Sequence, residues 1–282
     1  MQAAGEQFKD WIGRTETAED ILTPRMAAHM AASLGAEDAD LATGEALPVG
    51  WQWMVCADGP SASELAPDGL PERGSLLPPI PLPRRMWAGG SMRFHAPLRI
   101  GEKVRRTTEV KDITFKEGRS GAIAFVALGY NYSGEQGLAI EEQQTVAYRA
   151  EKQEGEAPPP PVAPPCAAVW RRTIEPDPVL LFRYSALTFN SHRIHYDQPY
   201  VTEVEGYPGL LVHGPLIATL LFDLMRRGTD KMPAQLSYRA MRPLFDTAPF
   251  EVCGAPSEDG KACTLWALDP EGAVAMQVEV GF

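Results

Sequence analysis

Cysteine is scarce in this chain, and no two cysteines stand at C-x-x-C spacing. Cys56, Cys166, Cys253 and Cys263 are scattered over 282 residues, which excludes a disulfide framework and a zinc knuckle as organising devices. Reduced, mostly buried thiols in a cytoplasmic protein are the expectation. Positive charge is short too. With 26 Lys and Arg against 37 Asp and Glu, the formal net charge is −11, which argues against sequence-independent nucleic-acid binding. A few local arginines can still hold a small anionic ligand. No apolar run approaches the ~20 residues that span a bilayer. Residues 1–20 carry acids and no apolar h-region, so they do not read as a signal peptide. No membrane partner is expected. GxSxG, P-loop and GxGxxG motifs are also missing, which leaves serine hydrolase, NTPase and Rossmann readings without support.

What is present is a chain long enough for one large domain or two ordinary ones. Residues 8–20 read as a short amphipathic element carrying Phe8, Trp11 and Ile12. Thr23 followed by Pro24 is a cap-then-proline start, and Gly35 is a natural stop, so a helix is expected over 24–34. Residues 43–90 are rich in Pro, Gly and Trp. Within them LPVGWQWMVCAD, 47–58, reads as a strand, and the prolines of 78–83 exclude regular structure. From 91 to 149 four strand-like runs follow, punctuated by Gly118, Gly121, Gly134 and Gly137. Residues 151–165, EKQEGEAPPPPVAPP, read as a stiff linker. It divides the chain into 1–150 and 166–282. The second part repeats the plan. Asp177-Pro178 opens a helix, a second helix runs from about Gly214 to Arg227, and strand-like runs close the chain. The class is α+β.

Chemistry concentrates in 177–227, which holds three of the five histidines, His192, His195 and His213, beside the most apolar run of the chain. His195 is the best acid or base, because imidazole titrates near neutral pH. Asn190 cannot move a proton, but its amide can hold a water or a substrate oxygen. Asp197 is a candidate to orient His195. Gly214, after His213 at a helix start, can offer a backbone N–H to a developing oxyanion, and glycine lets a ligand approach closely. His213 can equally be no more than a helix cap. His192 can simply brace its loop. His29 and His95 read as structural hydrogen bonders. Arg84 and Arg85 suit phosphates or a solvated pair. Arg193 can hold a substrate carboxylate or make a structural ion pair. A metal reading built on His195, Asp197 and His213 is the weaker alternative, and neither a metal nor a cofactor is expected.

Two long motifs carry a resemblance. FNSHRIHYD (189–197), the GLLVHGP helix start (209–215) and the strands after it resemble the MaoC-like hydratases and dehydratases. The usual signature there is Asp-x-Asn-Pro-Ile-His. Here Ile194 and His195 match, Asn190 stands where the acid would be, and His192-Arg193 replaces Asn-Pro. RYSALTFN-x-HRIHYD together with PLPRRMWAGG (81–90) resembles a narrower branch, the type 2 hydroxyacyl-thioester dehydratases and the mesaconyl-C4-CoA or itaconyl-CoA hydratases. The resemblance implies a double hotdog fold, each half a sheet wrapped around a long helix, 24–34 and 214–227. It implies a CoA thioester between the halves, with Asn190 and His195 sharing one water. The preferred reaction is hydration of a short dicarboxylic enoyl-CoA to a citramalyl-CoA. Alternatives are a 3-hydroxyacyl-thioester dehydratase of fatty-acid metabolism, an acyl-CoA thioesterase and a non-catalytic acyl-CoA binding module. A homodimer is compatible with all of these.

Overall fold

The computed structural model describes residues 7–36, 38–57, 59–118, 121–150 and 160–282. Residues 151–159 of the expected linker lie outside the described residues. The first 3₁₀ turn, Lys9–Trp11, gives way to strand β1 (Thr15–Ile21), a departure from the amphipathic reading of 8–20. β1 is missed by periodicity because it is a polar edge strand with no fully buried residue. It is held by pairing Thr15 to Glu109 through Ile21 to Lys103.

Helix α1 (Pro24–Leu34) has the expected ends. Thr23 accepts a bond from Met26 N–H, and Gly35 closes the helix at φ 64°. Its buried face is Ala27, Met30, Ala31 and Leu34. The stretch read as a strand at 47–58 is instead a 3₁₀ turn, Trp51–Met54. Burial there is nearly continuous, with Trp51, Gln52, Met54, Val55 and Cys56 all buried, where a half-buried strand would bury every second residue.

Strands β2 (Arg84–Phe94), β3 (Lys103–Gly118), β4 (Gly121–Gly134) and β5 (Gly137–Arg149) follow. β2 begins at Arg84, seven residues before the expected run. Then come β6 (Trp170–Ile174), helix α2 (Pro178–Leu187) capped by Asp177, and helix α3 (Gly214–Gly228). β7 (Gln235–Ala240), β8 (Phe250–Pro256), β9 (Ala262–Leu268) and β10 (Val274–Gly281) end the chain.

All ten strands form one antiparallel sheet in the order β1-β3-β4-β5-β2-β7-β10-β9-β8-β6. β2 and β7 join its two parts, pairing Gly89 to Arg239 through Arg93 to Gln235. Close approach of both neighbouring strands explains the glycine pair in PLPRRMWAGG. A Cβ on Gly89 would lie 2.3 Å from Tyr238 O of β7, and one on Gly90 would lie 2.1 Å from Gln143 O of β5 and 2.5 Å from the Tyr238 hydroxyl. α3 is buried continuously from Leu216 to Met225, as a helix enclosed by a sheet must be. It packs on β6, β8, β9 and β10. α1 packs on α2 and on the 3₁₀ turn at Trp51.

Buried Asp223 on α3 ties these helices together. It pairs with Arg172 at 3.2 Å and with Arg226 and Arg227 at 2.8 Å each. Arg172 and Arg227 also donate to Leu34 O and Gly35 O, the open carbonyls at the end of α1. One carboxylate thus positions the guanidinium groups that satisfy a helix terminus.

Candidate active site

The end of α2 builds the site. Thr188 N–H bonds Tyr184 O, Phe189 adopts φ 49°, and Asn190 N–H returns to Ser185 O at 2.8 Å. This is a left-handed helix cap with phenylalanine in the place glycine usually takes. Asn190 Oδ1 then accepts His192 N–H at 3.0 Å, an Asx turn. Only an oxygen can accept from a backbone N–H, so the amide orientation is fixed and its NH2 group remains for a ligand. A 3₁₀ turn, Arg193–His195, follows. Ser191 Oγ and Arg193 N–H donate to Gly69 O and Asp68 O of the first half, which fastens the motif to the 66–70 turn.

His195 is 6% exposed. Its Nδ1–H donates to Leu211 O at 2.7 Å, and Leu211 N–H donates to Ile194 O at 3.0 Å. The ring orientation is therefore set by backbone on both sides. Nε2 makes no hydrogen bond to a described residue and carries the lone pair. The His213 ring is stacked on it at 3.6 Å and 18°, and His192 meets it edge-on at 5.6 Å. His213 is fully buried, with Nε2 2.8 Å from Ser185 Oγ and Nδ1 without a partner among the described residues. It stands at the N-cap of α3 but makes no side-chain cap bond.

Burial dominates the proton affinities. It holds His195 down to about 3, with the Leu211 carbonyl opposing and His192 adding to the shift. His192 is held at about 4 by burial and by the nearby Arg85 charge. His213 lies well below the ordinary range by burial, then by its neighbouring histidines. All three are uncharged at neutral pH, so His195 presents a base in its free form.

The arginines and Asp197 resolve differently. Asp197 does not orient His195. It accepts from Arg193 at 2.8–2.9 Å and from Tyr200 N–H at 3.1 Å, while Leu211 O takes the orienting role. The weaker metal reading loses its carboxylate by the same contacts. Arg193 makes a structural ion pair, stacks 4.2 Å over Tyr200 and reaches Pro67 O. Arg84 donates to Tyr207 OH at 2.7 Å. Arg85, on the opposite face of β2, is half-buried and lies beside His192 and Tyr148. Gly214 opens α3, with Trp87 against it. A Cβ there would sit 2.6 Å from Trp87 Cε3, so the glycine is required by Trp87 as well as suited to a ligand. His95 pairs with Glu141 at 2.7 Å on the surface, and His29 is exposed.

A buried polar network behind Trp87 escaped the sequence reading. Glu142, 3% exposed, accepts from Trp53 Nε1 at 3.0 Å, Tyr238 OH at 2.7 Å and Gln144 Nε2 at 2.7 Å. Trp87 Nε1 donates to Gln144 Oε1 at 3.1 Å and its ring stacks on Tyr238 at 4.8 Å. Burial raises the Glu142 carboxyl against these donors. The signal available was the alternation in EEQQ, which buries Glu142 and exposes Glu141.

A family model described as hydroxyacyl-thioester dehydratase type 2 matches residues 50–246, a span that contains every site residue above. The chain belongs to this family. It is 47% identical over 274 residues to the mesaconyl-C(4)-CoA hydratase of Chloroflexus aurantiacus, covering 96% of each chain. It is 27% identical over 300 residues to the mitochondrial type 2 hydroxyacyl-thioester dehydratase of Schizosaccharomyces pombe, covering 95% of this chain and 96% of that one. Among solved structures, a MaoC-like dehydratase from Phytophthora capsici superposes with a TM-score of 0.70 at 16% identity over 98% of both chains. A Mycobacterium tuberculosis protein described as a double hotdog fold gives 0.57 at 14% identity, over 99% of this chain and 98% of that one. The fold of this type 2 dehydratase family member is accordingly a double hotdog, and its enzymatic class is hydro-lyase. Its family motifs have distinct physical tasks: FNSHRIHYD makes the cap, the Asx turn and the His195 setting, and PLPRRMWAGG makes the sheet join and the wall against Gly214. No helix among the described residues is long and apolar enough to cross a membrane.

Proposed function

We propose that the chain hydrates the C4 thioester of mesaconate to a citramalyl-CoA, with His195 as the base. The observation that carries this reading is the His195 setting: an uncharged imidazole, pinned through Nδ1–H to Leu211 O, with Nε2 unoccupied close to the start of α3. Water held by Nε2 and the free Asn190 NH2 loses a proton to His195 as its oxygen bonds the β-carbon. The C=C electrons move to the thioester carbonyl, whose oxygen gains charge. The N–H groups of the first turn of α3, at Gly214, face that charge with the favourable end of the helix dipole. His195 returns the proton to the α-carbon, so no proton is gained or lost overall. The Chloroflexus relative at 47% identity supports the choice of acyl group. The Schizosaccharomyces relative supports the reverse reaction on a 3-hydroxyacyl thioester more distantly.

The test is loss of enoyl-thioester absorbance with mesaconyl-C4-CoA, itaconyl-CoA, crotonyl-CoA and a longer trans-2-enoyl-CoA. Fast hydration of the mesaconyl ester above the unbranched ones is expected. Preference for the unbranched chains would move the assignment to fatty-acid dehydration. Release of free CoA without hydration would overturn it.

A further inference from the structure

We propose that Arg85 and the Tyr148 hydroxyl form an anion subsite that takes the carboxylate of the acyl group. The proposal rests on the hydratase reading above and names what selects its substrate. Arg85 and Tyr148 are cross-strand partners on β2 and β5. Tyr148 is fully buried, and its hydroxyl closes no hydrogen bond of good geometry with a described residue; the group within its reach is the Arg85 guanidinium, and a buried polar group left so poorly satisfied is costly. Arg85 has no carboxylate partner among the described residues, although it is half-buried. Arg73 lies over the Tyr148 ring at 5.2 Å and donates from its two terminal nitrogens to Ile80 O, Leu82 O and Pro83 O. It therefore fixes the loop leading into Arg85 and adds positive field. A guanidinium without a carboxylate, set beside a buried hydroxyl, presents converging donors to an oxyanion.

Its position chooses between the anions of an acyl-CoA. Arg85 shares a face of β2 with Trp87, about 7 Å further along the strand, and Trp87 packs on Gly214 at the start of α3. The Arg85 charge also reaches His192, whose ring touches His195. The subsite therefore borders the reacting carbons. In the C4 thioester of mesaconate the carboxylate is bonded to the β-carbon that receives water, whereas the CoA phosphates lie many bonds beyond the sulfur. Arg193, committed to Asp197, is not the reader of this carboxylate.

The test uses saturated, unreactive thioesters, so it is independent of turnover. Succinyl-CoA carries a carboxylate at the same place, and butyryl-CoA carries a methyl group. Calorimetric titration of the full chain should show succinyl-CoA binding about tenfold or more tightly than butyryl-CoA, the range of a charged hydrogen bond. Arg85→Met should bring that ratio close to one, and Tyr148→Phe should lower it about threefold. Equal affinities in the unaltered protein would overturn the proposal. So would a ratio that survives Arg85→Met while both ligands weaken together, which would assign Arg85 to a CoA phosphate. If Arg85→Met fails to fold, Tyr148→Phe decides, and an unchanged ratio overturns the proposal. Failure of the hydratase reading shows separately, as absent hydration of every enoyl thioester by a protein that still prefers succinyl-CoA.

Discussion

Asn190 occupies the position of an acid without being one, and the structure shows what an amide does there. Its oxygen is consumed by the Asx turn to His192 N–H, and its NH2 is left over. Asn190→Asp keeps the turn, because a carboxylate accepts the same bond, but removes both donors. A kcat lower by about 10²-fold with little change in melting temperature is expected, in the range for losing one positioned donor. Unchanged kcat would reduce Asn190 to a turn residue. His195 gives a second prediction. With its imidazole held at about 3 in the free enzyme, kcat/KM should show no acid limb near 6.5 and should fall only below about pH 5. A limb at 6–7 would point to a different base. At this scale the sequence was most legible for His195 and Asn190, because a linear motif of nine residues contains both. It was least legible for Leu211 O, Tyr148 and Glu142. Their roles come from main-chain oxygens or from pairing between strands far apart in the chain, which leave no local pattern.

Among the elements, helices were legible from their ends. Thr23-Pro24 and Asp177-Pro178 each place a cap oxygen and a missing N–H where a helix must begin, and both caps are made. The 3₁₀ turn at Trp51–Met54 was misread because short apolar runs do not separate period two from period three. β1 was missed because its stability comes from edge pairing with no apolar face of its own. Helix α3 carries the element-level prediction. Asp223→Ala leaves Arg172, Arg226 and Arg227 without their shared acceptor, and breaking a buried pair from one side costs about 3–5 kcal/mol. Urea unfolding should show a loss of about that size, with α1 less protected in hydrogen exchange because the guanidinium groups on its carbonyls are released. A change below about 1 kcal/mol would mean that the arginines find other partners.

For the whole molecule, three uncharged histidines in one cluster make stability depend on pH. In the unfolded chain each takes up a proton as pH falls through about 6.5. In the native protein His192 holds out to about 4, His195 to about 3, and His213 lower still. Native folded pKa values are depressed, so their contribution is complete above about pH 6.5 and declines as pH falls below it, each imidazole removing up to about 1.4 kcal/mol per pH unit. Denaturant midpoints should fall steeply between pH 6 and 4, and His213→Gln should make that slope shallower. The α+β class and most of the later strand runs were readable from the sequence. The joining of both parts into one sheet was not, because the Gly89–Gly90 contact with β7 depends on backbone approach across 150 residues of chain.

That join also makes the enzyme a reporter of its own assembly. Arg85 and Trp87 belong to the first part of the chain and His195 to the second, so neither part alone holds the site proposed above. Two polypeptides cut within 151–165 should each be inactive and should recover hydration when mixed, with a rate that rises with the concentration of both. Swapping one piece for that of a relative with another acyl preference should then exchange the proposed substrate-reading wall while leaving the proposed base in place.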